Sequence, residues 1–179
     1  MFVHVGNSRL ELVQGDITAQ AIDAIVNAAN ARLAGGGGVD GAIHRAAGPD
    51  LLSETGRLYP QGCATGSAVA TTAGRLTAKH VFHAVGPVWR GGGVGEPELL
   101  AGVHRCCLRL ALEHDCCGIA FPAISTGVYG YPKDLAAETA LGATRAFLRT
   151  TPAPLLVRFV LFDSGTFGAF ARVLESLLD

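Results

Sequence analysis

The sequence is short of the features that place a protein quickly. It has no apolar run near the ~18–20 residues that a membrane-spanning helix needs, so neither such a helix nor a membrane partner is expected. Its opening residues, MFVHVGNSRL, lack a basic segment followed by a long apolar one, and no secretory leader is expected. Charge is scarce and balanced, with 16% charged residues and a net charge of -1. Proteins that grip a nucleic-acid backbone carry a basic stripe. None is evident, and nucleic acid is not expected as the primary partner. No G-x-x-x-x-G-K-[ST] loop occurs, which excludes a Walker-type nucleotide site. The five cysteines (Cys63, Cys106, Cys107, Cys116 and Cys117) are an odd number in a chain with ample apolar residues. That argues for free thiols in a reducing compartment, and a cytoplasmic location is expected. HRCC at His104–Cys107 and HDCC at His114–Cys117 bring His and Cys together without C-x-x-C spacing. They read as small buried hydrophobes, and no metal is expected.

What is present suits an ordinary core. The chain has 179 residues, 49% of them hydrophobic, and one domain over residues 1–179 is expected. FVHV and RLELVQ read as strands around the turn GNS, and Asp23–Ala29 as a third strand. VDGAIHRAAG and DLLSETGRLY read as helices, and SAVATTA and HVFHAV as strands. A long helix is expected over Glu96–His114, then a strand over Gly118–Ile124. Pro132 fits the first turn of the helix PKDLAAETALGATRAFLR. LLVRFVLF is a continuous apolar strand, as in a central strand covered on both faces, and GAFARVLESLL is a closing helix. Strands interleaved with helices predict an α/β class, a three-layer α/β/α sandwich with a mixed, mostly parallel sheet of six or seven strands. The first strand is a candidate for antiparallel pairing.

Two glycine-rich loops fall after predicted strands, where open α/β sheets bind ligands. The first is NARLAGGGGVDG; the second is STGVYG. Both lead into helix N-termini, whose unpaired N–H groups and dipole favour an anion. Two such loops on one cleft would clamp a diphosphate. Neither loop carries a lysine, so the clamp would be made of backbone amides. Gly36-x-Gly38-x-x-Gly41 formally matches the dinucleotide fingerprint. Six residues, NARLAG, separate it from the strand, and no acid ends a second strand ~20 residues on, so a dehydrogenase is not expected.

GDIT (Gly15–Thr18), DAIVNAAN (Asp23–Asn30), GGGGVDGAIHRAAG (Gly35–Gly48), HAVGPVW (His83–Trp89) and PAISTGVYGYP (Pro122–Pro132) together resemble the macrodomain family, more narrowly its MacroD-type branch. The resemblance implies binding of ADP-ribose. It further implies hydrolysis of an ester at the distal ribose, on proteins mono-ADP-ribosylated at acidic side chains and on O-acetyl-ADP-ribose, with no metal and no nicotinamide cofactor. A non-catalytic ADP-ribose reader is the alternative, and a regulatory role through a partner protein is a third class.

By that resemblance Asp16 accepts a hydrogen bond from the adenine amino group and Ile17 offers a backbone N–H. Asp16 also suits an N-cap. Phe162 either packs on the adenine or belongs to the core. Asn30 suits a ribose hydroxyl or a strand-end turn, and Asn27 suits a structural bond to backbone. Gly35, Gly36, Gly37, Gly38 and Val39 present amides to the diphosphate. Ser125, Thr126, Gly127, Val128 and Gly130 form the second phosphate loop, and Tyr129 covers the distal ribose or packs within its loop. Asp40 and His44 lie one turn apart on one helix face. Asp40 is a base, an orienting acceptor for water, or a helix cap; His44 is a supporting residue or a surface histidine. Catalytic candidates are therefore Asn30, Asp40, His44 and Tyr129. His83 and Trp89 have no assigned role.

Overall fold

A computed structural model describes residues 1–177. The strands are β1 (Phe2–Val5), β2 (Ser8–Gln14), β3 (Ala24–Ala28), β4 (Ala68–Thr72), β5 (His80–Ala84), β6 (Gly118–Phe121) and β7 (Leu156–Leu161). The helices are α1 (Gly38–Ala47), α2 (Asp50–Leu58), α3 (Glu96–Glu113), α4 (Lys133–Thr150) and α5 (Ser164–Ser176), with a 3-10 turn at Ile17–Ala19. The strands form one sheet in the order β1-β2-β7-β6-β3-β5-β4. β1 pairs antiparallel with β2, and β4 with β5. The pairs β2–β7, β7–β6, β6–β3 and β3–β5 are parallel.

Side-chain alternation along each strand sorts the core into two layers. Ile25, Val81, Ala120 and Val160 face one way and pack with Ile43 and Ala47 of α1 and Leu51 of α2. Their neighbours Val26, Phe82, Phe121 and Phe159 face the other way, toward Leu100 and Val103 of α3, Leu141 of α4 and Phe170 of α5. This is the expected three-layer α/β/α sandwich. β7 is central, as its apolar run implied, although Arg158 interrupts it. Its guanidinium bonds Glu11 on β2, the residue opposite it in the register, and Gln20 at 2.9 Å.

Two boundaries differ from expectation. β6 stops at Phe121, before Pro122, which has no N–H to continue a ladder. Pro132 is the residue before α4, with ψ 131°, rather than part of its first turn. No helix among the described residues is long and apolar enough to cross a membrane.

Candidate active site

The parallel strands β2, β7, β6, β3 and β5 run the same way, so their carboxyl ends share one edge, and the loops leaving them build the site. The loop after β3 is held from within. Asn30 Nδ2 donates to Gly35 O at 2.8 Å, and Asn30 Oδ1 accepts from Ala34 N at 3.2 Å. The turn role of Asn30 is therefore real, and it leaves one amide hydrogen free. Leu33 is buried with Ala29, Cys63 and Val85 and pins the loop to the body. Gly36, Gly37 and Gly38 stay exposed. α1 begins at once, with Gly37 as a cap that has no side chain, so its first amides lack helical acceptors. A Cβ on Gly41 would sit 2.6 Å from Gly36 O, so the loop lies on this helix only because residue 41 has none.

Asp40 occupies the first turn of α1 and is 6% exposed. Its Oδ1 accepts from Asn27 Nδ2 at 2.8 Å and faces His44 Nε2 at 3.2 Å. Its Oδ2 faces the loop, 3.2 Å from where a Gly36 Cβ would be. Asn27 was expected to bond backbone. Instead its Nδ2 bridges Asp40 and His83 Nδ1, the latter at 3.2 Å. His83 Nε2 in turn meets Thr71 Oγ1 at 2.9 Å. Burial first, then nearby His44, pushes the His83 imidazole down to about 4. The missed signal was in the pattern: Asn27 is the polar position in the apolar strand β3, His83 is one of two histidines in β5, and the parallel register sets them opposite each other.

The second loop, Ser125–Gly130, is braced by Tyr131 N to Ser125 O at 3.0 Å. Thr126 and Gly130 turn their amides inward, to Ala123 O and Gly127 O. Among the described residues, the amides of Gly127, Val128 and Tyr129 find no backbone acceptor, and Val128 is fully exposed. A third loop, after β5, is joined to it by Trp89 N to Tyr129 O at 2.8 Å. Trp89 packs on Tyr131 with ring centroids 4.5 Å apart. This loop folds round the buried carboxylate of Glu96, which accepts from the amides of Arg90, Gly92 and Val94 at 2.7–3.0 Å. Burial alone would raise the Glu96 pKa; those bonds, with its own amide, hold it at about 2.

Gly86 is where the second and third loops touch. A Cβ there would overlap Ser125 Oγ and lie 2.5 Å from Ile124 Cγ2. Gly86→Ala should therefore lower stability by about 1–3 kcal/mol, the usual range for overpacking, read as a fall in Tm. An unchanged Tm would show that the loops part freely.

At the far end of the cleft, Asp16 caps the 3-10 turn: Oδ1 accepts from Thr18 N at 2.8 Å and Thr18 Oγ1 at 2.7 Å. The capping role is thus present, and Oδ2 remains outside it. Ile17 has a buried side chain, and its N–H lies at the start of the turn. Gly15 N bonds Leu161 O at 3.0 Å, which sets Asp16 beside Phe162. Phe162 is 79% exposed, so the core alternative for it fails. Among the described residues, no group of three or more His, Cys, Asp or Glu side chains is placed to hold a metal ion. His104 and Cys107 point into the core, whereas Cys117 is exposed.

The family model described as Macro domain matches residues 26–140. A relative named O-acetyl-ADP-ribose deacetylase, from Salmonella gallinarum, is 56% identical over 169 residues, covering 93% of this chain and 94% of its own length. The solved structure of the Oceanobacillus iheyensis macrodomain with ADP matches with a TM-score of 0.94 at 40% identity, over 99% of this chain and 96% of that one. The Trypanosoma brucei macrodomain in complex with ADP-ribose matches with a TM-score of 0.85 at 42% identity, over 92% of this chain and 68% of that one.

Proposed function

The chain belongs to the Macro domain family, and on that footing we propose that residues 1–179 form one macrodomain that binds ADP-ribose and hydrolyses esters at its distal ribose. The substrates are O-acetyl-ADP-ribose and proteins carrying mono-ADP-ribose on acidic side chains. The observation that carries this reading is Asp40, a buried carboxylate in the first turn of the glycine-loop helix, with one oxygen tied down and the other turned to the loop.

In this reading the adenine lies on Phe162 with its amino group toward Asp16 Oδ2. The diphosphate rests on amides of Gly36–Val39 and Gly127–Tyr129. The distal ribose sits over the first loop, where the free amide hydrogen of Asn30 reaches a hydroxyl and Tyr129 covers the ring. A water between Asp40 Oδ2 and the ester attacks the acyl carbonyl. Its proton passes to Asp40 or to a ligand phosphate. The bond from the acyl carbon to the ribose oxygen then breaks, that proton is handed to the ribose oxygen to restore the hydroxyl, and the free acid leaves. Loop amides stabilise the developing oxyanion, each such donor typically contributing ~3–4 kcal/mol. His44 steadies Oδ1. Neither a metal nor a nicotinamide is needed for these steps.

The test is direct. Incubated with O-acetyl-ADP-ribose the protein should release acetate, and with a glutamate-ADP-ribosylated protein it should release ADP-ribose. Binding of ADP-ribose without turnover of either substrate would make the chain a reader instead. At the adenine end, Phe162→Ala should weaken ADP-ribose binding by about 1–3 kcal/mol, the value of one base–aromatic stack, as measured by calorimetry. Asp16→Ala should weaken every adenine ligand, and an unchanged Kd would remove Asp16 from the site.

A further inference from the structure

We propose that His83 is a positioning residue for Asp40: a neutral imidazole held as the Nε2–H tautomer, which through Asn27 dictates which carboxylate oxygen faces the glycine loop. The inference rests on the reading of Asp40 given above and extends it inward, to residues that touch no substrate.

The direction of every hydrogen bond in the chain follows from donor and acceptor inventory. A carboxylate only accepts, so the Asn27 atom 2.8 Å from Asp40 Oδ1 is the amide nitrogen. A flipped amide would press two acceptor oxygens together. The same nitrogen is 3.2 Å from His83 Nδ1 and spends its second hydrogen there, so Nδ1 must offer a lone pair. The ring proton is then on Nε2, which donates to Thr71 Oγ1 at 2.9 Å. The Thr71 hydroxyl is free to accept, because its own hydrogen goes to Thr72 O at 2.9 Å. Donation thus starts at the Asn27 amide and runs two ways, to Asp40 Oδ1 and through His83 and Thr71 to the β4 backbone, while Asn27 Oδ1 is left a buried acceptor without a partner among the described residues. Each residue is nearly or wholly inaccessible: Asn27, Thr71, His83 and Asp40 are all buried.

The relay explains a feature that a lone Asn27–Asp40 bond leaves open. The Asn27 amide could rotate about its side-chain bond and release Oδ1; the acceptor on His83 fixes it. With Oδ1 held by Asn27 and His44, Oδ2 is the oxygen left facing Gly36. A proton on Nδ1 would set N–H against N–H and break the chain. Where that proton is a second one, making the imidazolium, the surroundings oppose it. His44 of α1 lies 6.3 Å away between ring centroids, and burial disfavours the charge. Asp40 faces the ring only through Asn27, and Glu54 of α2 is the acid whose charge reaches it, as a lesser influence.

The experiment has three parts. In the 15N spectrum of histidine-labelled parent protein at neutral pH, His83 should show a bare Nδ1 and a protonated Nε2; a protonated Nδ1 overturns the proposal without any variant. His83→Leu should lower kcat on O-acetyl-ADP-ribose by roughly 10–100-fold, the scale of a misplaced catalytic group, with the Kd for ADP-ribose within about twofold of the parent. His83→Asn restores an acceptor near the Nδ1 position and should recover most of the lost kcat, whereas His83→Gln, whose amide lies near Nε2, should not. Equal losses in both variants, or parental kcat in His83→Leu, overturn the proposal. The failure of the underlying reading is distinct: there Asp40→Ala retains parental turnover, whatever His83 does.

Discussion

Asp40→Ala is expected to lower turnover of O-acetyl-ADP-ribose by roughly 10²–10⁴-fold, the usual worth of a general base, while ADP-ribose still binds. Both halves of that expectation come from geometry. The carboxylate is held on one oxygen and open on the other, so its removal takes away the group proposed to hold the attacking water. The diphosphate contacts proposed here are backbone amides, which a side-chain truncation leaves in place. Asp40→Asn is the sharper variant. It keeps the volume, the helix position and an oxygen that accepts from both Asn27 and His44, but it puts an amide group that cannot accept a proton where Oδ2 faces the loop. Its turnover should be as low as that of the alanine variant. Measured side by side by acetate release and calorimetry, parental turnover with intact binding in either variant would reduce Asp40 to a helix residue. If instead binding is lost along with turnover, the clamp does not rest on backbone.

Lowering the pH from about 6.5 to 4 is expected to remove several kcal/mol of folding stability. His83 and His104 are both buried, and burial holds each at about 4, against 6.5 when unfolded. Between those values the unfolded chain binds more protons than the folded one, so stability falls as the pH falls. At 1.36 kcal/mol per unit, each contributes on the order of 3 kcal/mol, a large share of the ~5–15 kcal/mol typical of a domain. His104 shows the cause plainly. Its Nδ1 donates to Leu100 O at 2.7 Å, and its other face lies against Phe121 and Phe159. Below pH 4 the loss continues, because Glu96 and Asp163 are held at about 2 when folded. For Asp163 the bonds from Thr166 come first and Lys133 follows. Urea midpoints taken across the range should fall steadily, and His104→Leu should flatten the curve between 6.5 and 4. Midpoints that stay constant down to pH 4 would mean that neither imidazole is held neutral.

Most strands were legible because β-branched and aromatic runs end at glycine or proline, and six of the seven lie within a residue or two of the expected bounds. β6 is the exception: Pro122 ends the ladder although the apolar pattern continues. The two glycine loops were legible for the same local reason, since four glycines in a row cannot serve a packed element. What the sequence hid were relations across distance. Asn27 and His83 meet only because β3 and β5 pair in parallel, 56 residues apart, and nothing local marks that register. Phe162 reads alike as core or surface until the strand end is placed. Glu96 reads as an ordinary first-turn acid, and its capture by three loop amides depends on how WRGGGVGE folds back.

The order of the sheet also has a consequence in time. β7 is the last strand along the chain, yet it lies between β2 and β6. Until it emerges from the ribosome, the hairpin of β1 and β2 has no link to the rest of the sheet. At roughly 5–20 residues per second, that is a wait on the order of ten seconds with one edge of β2 open to any passing strand. Charged side chains on a waiting edge discourage such pairing, and β2 carries Arg9 and Glu11. Glu11 then becomes the partner of Arg158 when β7 docks. The residue that guards the nascent hairpin is the one that receives the last strand.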